Sequence, residues 1–394
     1  MDTEKPLLGS DTMKNAVDSL KNMTDSLKNM KDDTAVVMLS LITWVIILCA
    51  LVYYFYYSGT FFTNSLQVRE CNFMDEIYDT LNGKIHSIVK RNDDFGFTLK
   101  DYYIKSAYNC CSAGSYKNDY VNLCYLKNIL RQGVRGLDFQ IFSINDKPVV
   151  ATSTSDSYCV KETFNYVPFV EVMNVIRDYA FSLGTAPNPN DPIILHLRIQ
   201  STNQTMYNNF ATILKGYDNI LLGPAFSFED QGKNLGNLKL TSMMNKVAII
   251  VDRSNNSFLE SKNFYEYVNM TSNSIFARCL HYYDIKYTPD MNELIEFNKL
   301  NMTIGLPDKG SNPPNPSAIF MRETGCQFIG MRYQIVDANV EESDIFFDEA
   351  GSAFVLKPEK LRYIPIVLET PPAQDPAVSY ATRKVVSDNY SFEI

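Results

Sequence analysis

Side chains able to gain or lose a proton near neutral pH are scarce in this chain. His86, His196 and His281 are its only histidines, and imidazole is the one side chain whose ordinary pKa falls between about pH 5 and 8. Carboxylates gather at Glu341-Glu342-Ser343-Asp344 and Asp348-Glu349. That run reads as a solvated acidic loop, with a weak cation site as its alternative. Pro313-Pro314-Asn315-Pro316 and Pro371-Pro372 read as loops or polyproline turns rather than ligands for a recognition domain.

The 394 residues are 45% hydrophobic and 21% charged, with mean hydropathy −0.16, net charge −9 and a pI near 5.0. This is a globular composition, which excludes a disordered, collagen-like or polytopic membrane protein. The acidity argues against nucleic acid as a partner, since phosphate contacts need a basic face. It equally argues against docking onto anionic lipid by bulk charge. The length suits two ordinary domains or one large one.

Residues 34–57 contain no charge and are almost wholly apolar. At about 1.5 Å per residue they reach about 36 Å, enough to cross a hydrocarbon core of about 30 Å. Tyr53, Tyr54, Phe55, Tyr56 and Tyr57 form an aromatic belt at the outgoing end. A cleaved signal peptide is a poor fit, because 33 mostly polar residues come first. Lys14, Lys21, Lys28 and Lys31 on one flank outnumber Arg69 on the other. The positive-inside rule therefore puts residues 1–33 in the cytosol and the large C-terminal part on the opposite side.

Within the tail, residues 11–31 repeat every seven positions. Met13, Ala16, Leu20, Met23, Leu27 and Met30 form one stripe. Three such heptads support weak self-association, a helix lying on the membrane surface, or loose structure. Residues 58–101 read as a membrane-proximal connector with a helix at 73–81.

Beyond it, strands are expected at 136–142, 148–151, 192–197 and 246–251, and helices at 121–132 and 169–183. Strand–helix alternation over this length points to an α/β architecture with a largely parallel sheet. Pattern alone does not choose between a barrel and an open sheet.

Residue identity goes further. Ile104-Lys105-Ser106-Ala107-Tyr108-Asn109, Gly133-Val134-Arg135-Gly136-Leu137-Asp138, Lys147-Pro148-Val149-Val150 and Ile193-Ile194-Leu195-His196-Leu197-Arg198 occur in that order. Gly325-Cys326-Gln327-Phe328-Ile329-Gly330-Met331 and Gly351-Ser352-Ala353-Phe354-Val355-Leu356-Lys357-Pro358-Glu359 follow. Together they resemble the two conserved halves of the phosphoinositide-specific phospholipase C catalytic barrel. The resemblance implies a distorted TIM-type (β/α) barrel over 102–365, with an X-like half at 102–252 and a Y-like half at about 276–362. A C-terminal tail, 366–394, would follow. It also implies a site at the C-terminal ends of the strands, where one histidine acts as base, another as acid, and Ca²⁺ holds the phosphate and the 2-hydroxyl. No EF-hand loop or C2 sandwich is expected, so the apolar helix would take over membrane targeting.

Carried over position by position, that chemistry is missing. The two catalytic histidines fall on Tyr108 and Thr152, neither of which titrates near neutrality. The four metal ligands fall on Asn109, Gly136, Asp138 and Arg198, so two carboxylates are lost and a fixed cation appears. The lysine pair that grips the inositol phosphates falls on Ile250 and Asp252, and Ser311-Asn312 is a fainter match to a substrate-side pair. The expectation is no catalytic residue, no metal and no cofactor, Ca²⁺ having been lost relative to the family. Asp138, left without its cation, should then pair with Arg198, with Tyr108 and Thr152 facing the same cavity.

Of eight cysteines, Cys49 lies in the membrane span and Cys326 matches a family position. The six others, Cys71, Cys110, Cys111, Cys124, Cys159 and Cys279, permit 15 disulfide connectivities. Asn203-Gln204-Thr205, Asn255-Asn256-Ser257, Asn269-Met270-Thr271, Asn301-Met302-Thr303 and Asn389-Tyr390-Ser391 have the form of glycosylation sequons.

The sequence thus describes a single-pass membrane protein displaying a catalytically inactive phospholipase C-like barrel as a structural or binding module. Its partners would be the bilayer through 34–57, a second copy through 11–31, and an unidentified protein. Asn-rich composition and a stripped-down architecture suit the membrane of a large DNA virus. Two rival readings stand beside it. One is a divergent phosphodiesterase acting on phosphoinositides through Tyr108, Asp138 and His196. The other is a non-catalytic pocket for inositol phosphate or lipid.

Overall fold

A computed structural model of the chain describes residues 18, 19, 21, 22, 25, 32–90, 92–154, 159–227, 232–365 and 381–394. Two compact units, 1–79 and 80–394, are described in turn. Most of the heptad tail and Pro371-Pro372 lie outside the described residues.

In the first unit one helix, Asp32–Tyr78, runs for 47 residues. Its segment Val36–Tyr56 is long and apolar enough to cross a membrane by length and composition. The hydroxyls of Ser40 and Thr43 donate back to the carbonyls of Val37 and Leu39, so these polar groups need no other partner. The expected connector at 58–101 is corrected here. Residues 58–72 contain no proline and a single glycine, nothing halts the helix, and it continues to Tyr78 instead of restarting at 73.

The second unit is a nearly closed barrel of eight parallel strands. These are β1 (Tyr102–Ala107), β2 (Gly136–Ile144), β5 (Ile193–Ile199), β6 (Val247–Asp252), β7 (Met270–Ser272), β8 (Ala277–His281), β9 (Met302–Leu306) and β10 (Phe328–Met331). Hydrogen bonding runs in chain order from β8 through β9 and β10 to β1, then through β2, β5 and β6 to β7. The seam between β7 and β8 is bridged only by a tight turn, in which Ser274 N donates to the Ala277 carbonyl at 3.0 Å. Two short strands, β3 (Lys147–Ala151) and β4 (Val167–Pro168), extend antiparallel from β2. The β2–β3 turn places Asn145 and Asp146 at φ 49° and 59°, the left-handed pair that a two-residue hairpin turn requires. β11 (Phe354–Leu356) pairs antiparallel with the start of β1.

Four expected strands form within two residues of their predicted ends. The expected helix at 169–183 is shorter: it is α-helical over Phe169–Val175 and opens into a π turn over Ile176–Ala180. The acidic run at 341–349 is not a loop. It lies in the helix Ala338–Ala350, capped by Asp337, whose carboxylate accepts from Asn339 N and Val340 N. Three of its acids meet cations: Asp344 lies 2.9 Å from buried Lys105, Asp348 lies 3.5 Å from Lys84, and Glu342 meets Arg322. Among the described residues no group of acids, histidines and cysteines has the makings of a metal site. Cys110, Cys111 and Cys159 are thiols. Residues 384–393 form a hairpin, β12 (Lys384–Ser387) with β13 (Tyr390–Glu393).

Candidate functional site

Side chains alternate across a strand, so every second residue of a barrel strand points inward. In β5 those residues are Ile194, His196 and Arg198, in β6 Ala248, Ile250 and Asp252, and in β1 Ile104 and Ser106, followed by Tyr108 just beyond its end. The interior thus grades from apolar at the floor to polar at the mouth. Tyr108, Asn109, Asp138, Thr152, His196 and Arg198 all sit in the upper layer and all are buried.

Asp138 is the hub of that layer. Arg198 Nη2 donates to Asp138 Oδ1 at 2.7 Å and Arg198 Nε donates to Asp138 Oδ2 at 3.0 Å, a two-pronged pair. The pairing expected between these two residues is present. Arg198 Nη2 also donates to Asn109 Oδ1 at 2.9 Å, and Asn109 N donates to Asp138 Oδ1 at 3.3 Å. Asn109 can face both because its backbone is left-handed, φ 46°, a conformation asparagine tolerates better than most residues.

His196 completes the network, although no motif position pointed to it. Its Nδ1 lies 2.7 Å from Asp138 Oδ2 and its Nε2 lies 2.9 Å from Ser272 Oγ. An imidazole carrying its hydrogen on Nδ1 satisfies both contacts, with the serine hydroxyl donating to Nε2. The signal was in the sequence: His196 stands two residues before Arg198 on one strand, and so shares its face.

Above this hub the aromatic rings close the mouth. The Arg198 guanidinium lies 4.5 Å from the centre of the Tyr108 ring, and Tyr108 meets Tyr116 edge-on at 5.5 Å. Thr152 Oγ1 donates to the Tyr116 carbonyl at 3.1 Å, so Tyr108 and Thr152 do converge on one place, with Tyr116 between them. A second guanidinium, Arg332, lies 4.8 Å from the Tyr116 ring and donates to Asn312 Oδ1 at 2.8 Å and to the Gly114 carbonyl.

Of the remaining carried-over positions, Ser311 reaches this place through Tyr116, whereas Ile250 and Asp252 make other contacts. Ile250 belongs to the apolar interior. Asp252, at the end of β6, accepts from Ser254 N and from Asn273 Nδ2, just after β7. Ser311 contributes its carbonyl to Tyr116 N.

The donor set does not fit Ca²⁺, the ion this fold implies. Both oxygens of Asp138 and the amide oxygen of Asn109 are engaged by Arg198. Any side chain at Gly136 would bring its Cβ to 2.1 Å from Ser106 Oγ and 2.7 Å from Phe328 Cε2, so the space for a carboxylate is filled. A hard cation wanting six to eight oxygens meets a fixed positive charge instead.

Electrostatically the hub is self-sufficient. Burial pushes the Asp138 carboxyl up, but the Arg198 charge and the His196 and Arg198 hydrogen bonds outweigh it and hold it below the usual carboxylate range. Both ring nitrogens of His196 are committed, and the residue is sealed from solvent. The arrangement holds charge in place at the mouth of the barrel.

Known proteins agree with this architecture. Residues 96–253 match the family model described as phosphatidylinositol-specific phospholipase C, X domain. The crystal structure of PLC21 from L. pealei superposes with a TM-score of 0.55 at 16% identity, covering 68% of this chain and 38% of that one. PLC21 from S. officinalis gives 0.54 at 17% identity, with the same coverages of 68% and 38%. A Ca²⁺-dependent phosphatidylinositol-specific phospholipase C from Streptomyces antibioticus gives 0.43 at 9% identity, covering 66% and 99%. This chain therefore spans 38% of the length of each PLC21, and at these identities the likeness speaks for the fold. No curated protein sequence matches it significantly. Residues 96–253 are thus similar to that X domain, and they sit in a barrel of the fold seen in PLC21.

Proposed function

We propose that this is a membrane-anchored phospholipase C-like protein without hydrolytic activity, whose barrel serves as a structural or binding module. One observation carries the proposal: the Arg198 guanidinium grips Asp138 with two prongs and takes the Asn109 oxygen as well. A protein cation of fixed position thereby stands among the residues that align with the metal ligands. Tyr108 and Thr152, at the positions of the acid and the base, are residue types whose ordinary chemistry supplies no proton acceptor or donor near neutral pH.

The anchor is the apolar segment Val36–Tyr56. The flanking lysines favour a cytosolic N-terminus and a barrel on the far side of the membrane. An envelope of a large DNA virus belongs to the same proposal, supported by composition alone.

The test is turnover. Full-length protein in mixed vesicles of phosphatidylinositol and its bisphosphate, with Ca²⁺ added, should release no inositol phosphate above the protein-free blank. Calcium-dependent release abolished by Asp138→Asn would overturn the proposal in favour of a divergent diesterase.

A further inference from the structure

Five sequences of the form Asn-x-Ser/Thr with x other than proline lie beyond the apolar helix, and the fold treats them very differently. Asn269 and Thr271 are buried beside β7, with Asn269 Nδ2 donating to the carbonyls of Gly223 and Phe226 at 3.2 and 3.3 Å. Thr303 is buried in β9, and its partner Asn301 accepts from Asn234 Nδ2 at 3.1 Å through its side-chain oxygen. Asn255 Nδ2 spans the carbonyls of Ile199 and Ser201 at 2.9 and 2.8 Å, tying its loop to the end of β5. Asn203 caps the helix Gln204–Lys215 through its oxygen, while its Nδ2 donates to Asp146 at 2.7 Å. In each of these four, the asparagine or its hydroxyl partner is built into the barrel.

Asn389 is the exception. It sits in the two-residue turn between β12 and β13, where Ser387 pairs with Tyr390, and both Asn389 and Ser391 are exposed. Its backbone N–H meets Ser387 Oγ at 3.4 Å, and the residue is exposed to solvent.

We propose that Asn389 is an N-glycosylation site of this protein, and the one such site beyond the membrane helix that the folded barrel can carry. The proposal rests on the orientation given above, which puts the barrel on the side of the membrane where such transfer occurs. The donor is a polyprenyl-pyrophosphate-linked oligosaccharide. Asn389 Nδ2 forms a bond to the anomeric carbon, the bond from that carbon to the pyrophosphate oxygen breaks, the amide gives up one proton, and polyprenyl pyrophosphate leaves. The exposed Ser391 hydroxyl supplies the second half of the recognition sequence. Orientation also has a built-in reporter. Asn22-Met23-Thr24 has the same form and lies on the other side of the helix, with Asn22 exposed.

The test translates the full chain with microsomes and reads endoglycosidase-sensitive mobility steps in the protease-resistant, folded fraction. One step is expected, absent in Asn389→Gln and retained in Asn203→Gln, Asn255→Gln and Asn22→Gln. A step that survives Asn389→Gln and disappears with a barrel sequon would overturn the site while leaving the orientation intact. So would an unmodified chain whose long C-terminal extension, bearing its own acceptor sequon, is modified. A step lost only in Asn22→Gln, or no modification even of that extension, would overturn the orientation and the site with it.

Discussion

The two ends of the barrel bury charge in opposite ways. At the mouth, Asp138 and Arg198 meet side chain to side chain with two short bonds, and pairing wins over burial: the Asp138 carboxyl is held below its usual range. At the floor, Lys357 Nζ donates to the Asn298 carbonyl at 2.8 Å, and burial pushes its pKa down to about 7 despite Asp101 nearby. Asp191 belongs to the floor too. Its oxygens accept from Ile88 N and Asn188 Nδ2 at 2.7 and 2.8 Å, and burial lifts its pKa to about 6 against the pull of Arg135. Depth is similar at both ends. What differs is whether a full opposite charge sits within bonding distance, and that decides which residues stay ionised. The floor ties the chain down, since Asp191 fastens the segment that leads into the barrel. The mouth, where barrels of this kind place their chemistry, is occupied by the protein's own cation.

The largest break in this contrast is Arg198→Met. It strands a buried carboxylate and should cost about 3–5 kcal/mol in urea unfolding. The Asp138→Asn, Arg198→Met double variant should cost less than the two single changes summed, because one pair is being removed twice.

Next comes Gly136→Glu, which restores the family residue type. Its Cβ falls 2.1 Å from Ser106 Oγ, so destabilisation of about 1–3 kcal/mol is expected from overpacking. Calorimetry should find no new Ca²⁺ binding.

How much of this the sequence disclosed depends on the interaction responsible. The barrel was legible because its motifs name strands in order and because β5 and β6 are apolar runs bounded by turn residues. The Asp138–Arg198 pair was legible because both map to positions around one ion. His196 was legible only in part: the diesterase reading groups it with Asp138 and Tyr108, but motif alignment gives it no position, and its contact with Asp138 comes from sharing a strand face with Arg198 and facing Asp138 in register. The acidic helix Ala338–Ala350 escaped because its charges look solvated until Lys105, buried in β1, is placed opposite them. The long helix outruns its apolar span because residues 58–72 hold no proline and one glycine, so the end of the hydrophobic run does not mark the end of the helix.

A pH-dependent effect sharpens the contrast at the floor. The folded pKa of Lys357, about 7, lies below its ordinary 10.5, so the unfolded chain binds more protons between those values. Stability therefore rises with pH through that window, by at most about 1.4 kcal/mol per pH unit. Lys357→Met should flatten the rise in urea midpoints measured from pH 7 to 10.

The mouth should respond at the other extreme. A carboxyl held low contributes stability that is present above the ordinary carboxylate range and lost as pH falls through its folded value. Wild type should thus lose more stability than Asp138→Asn between pH 5 and 2, the smallest expected change, followed by circular dichroism.

The most direct measurement is calcium binding to the full-length protein, followed by titration calorimetry and by the shift in melting temperature. With Arg198 seated among Asn109, Gly136 and Asp138, the account predicts no saturable heat and no stabilisation by Ca²⁺. Stoichiometric binding that raises the melting temperature and vanishes in Asp138→Asn would contradict it.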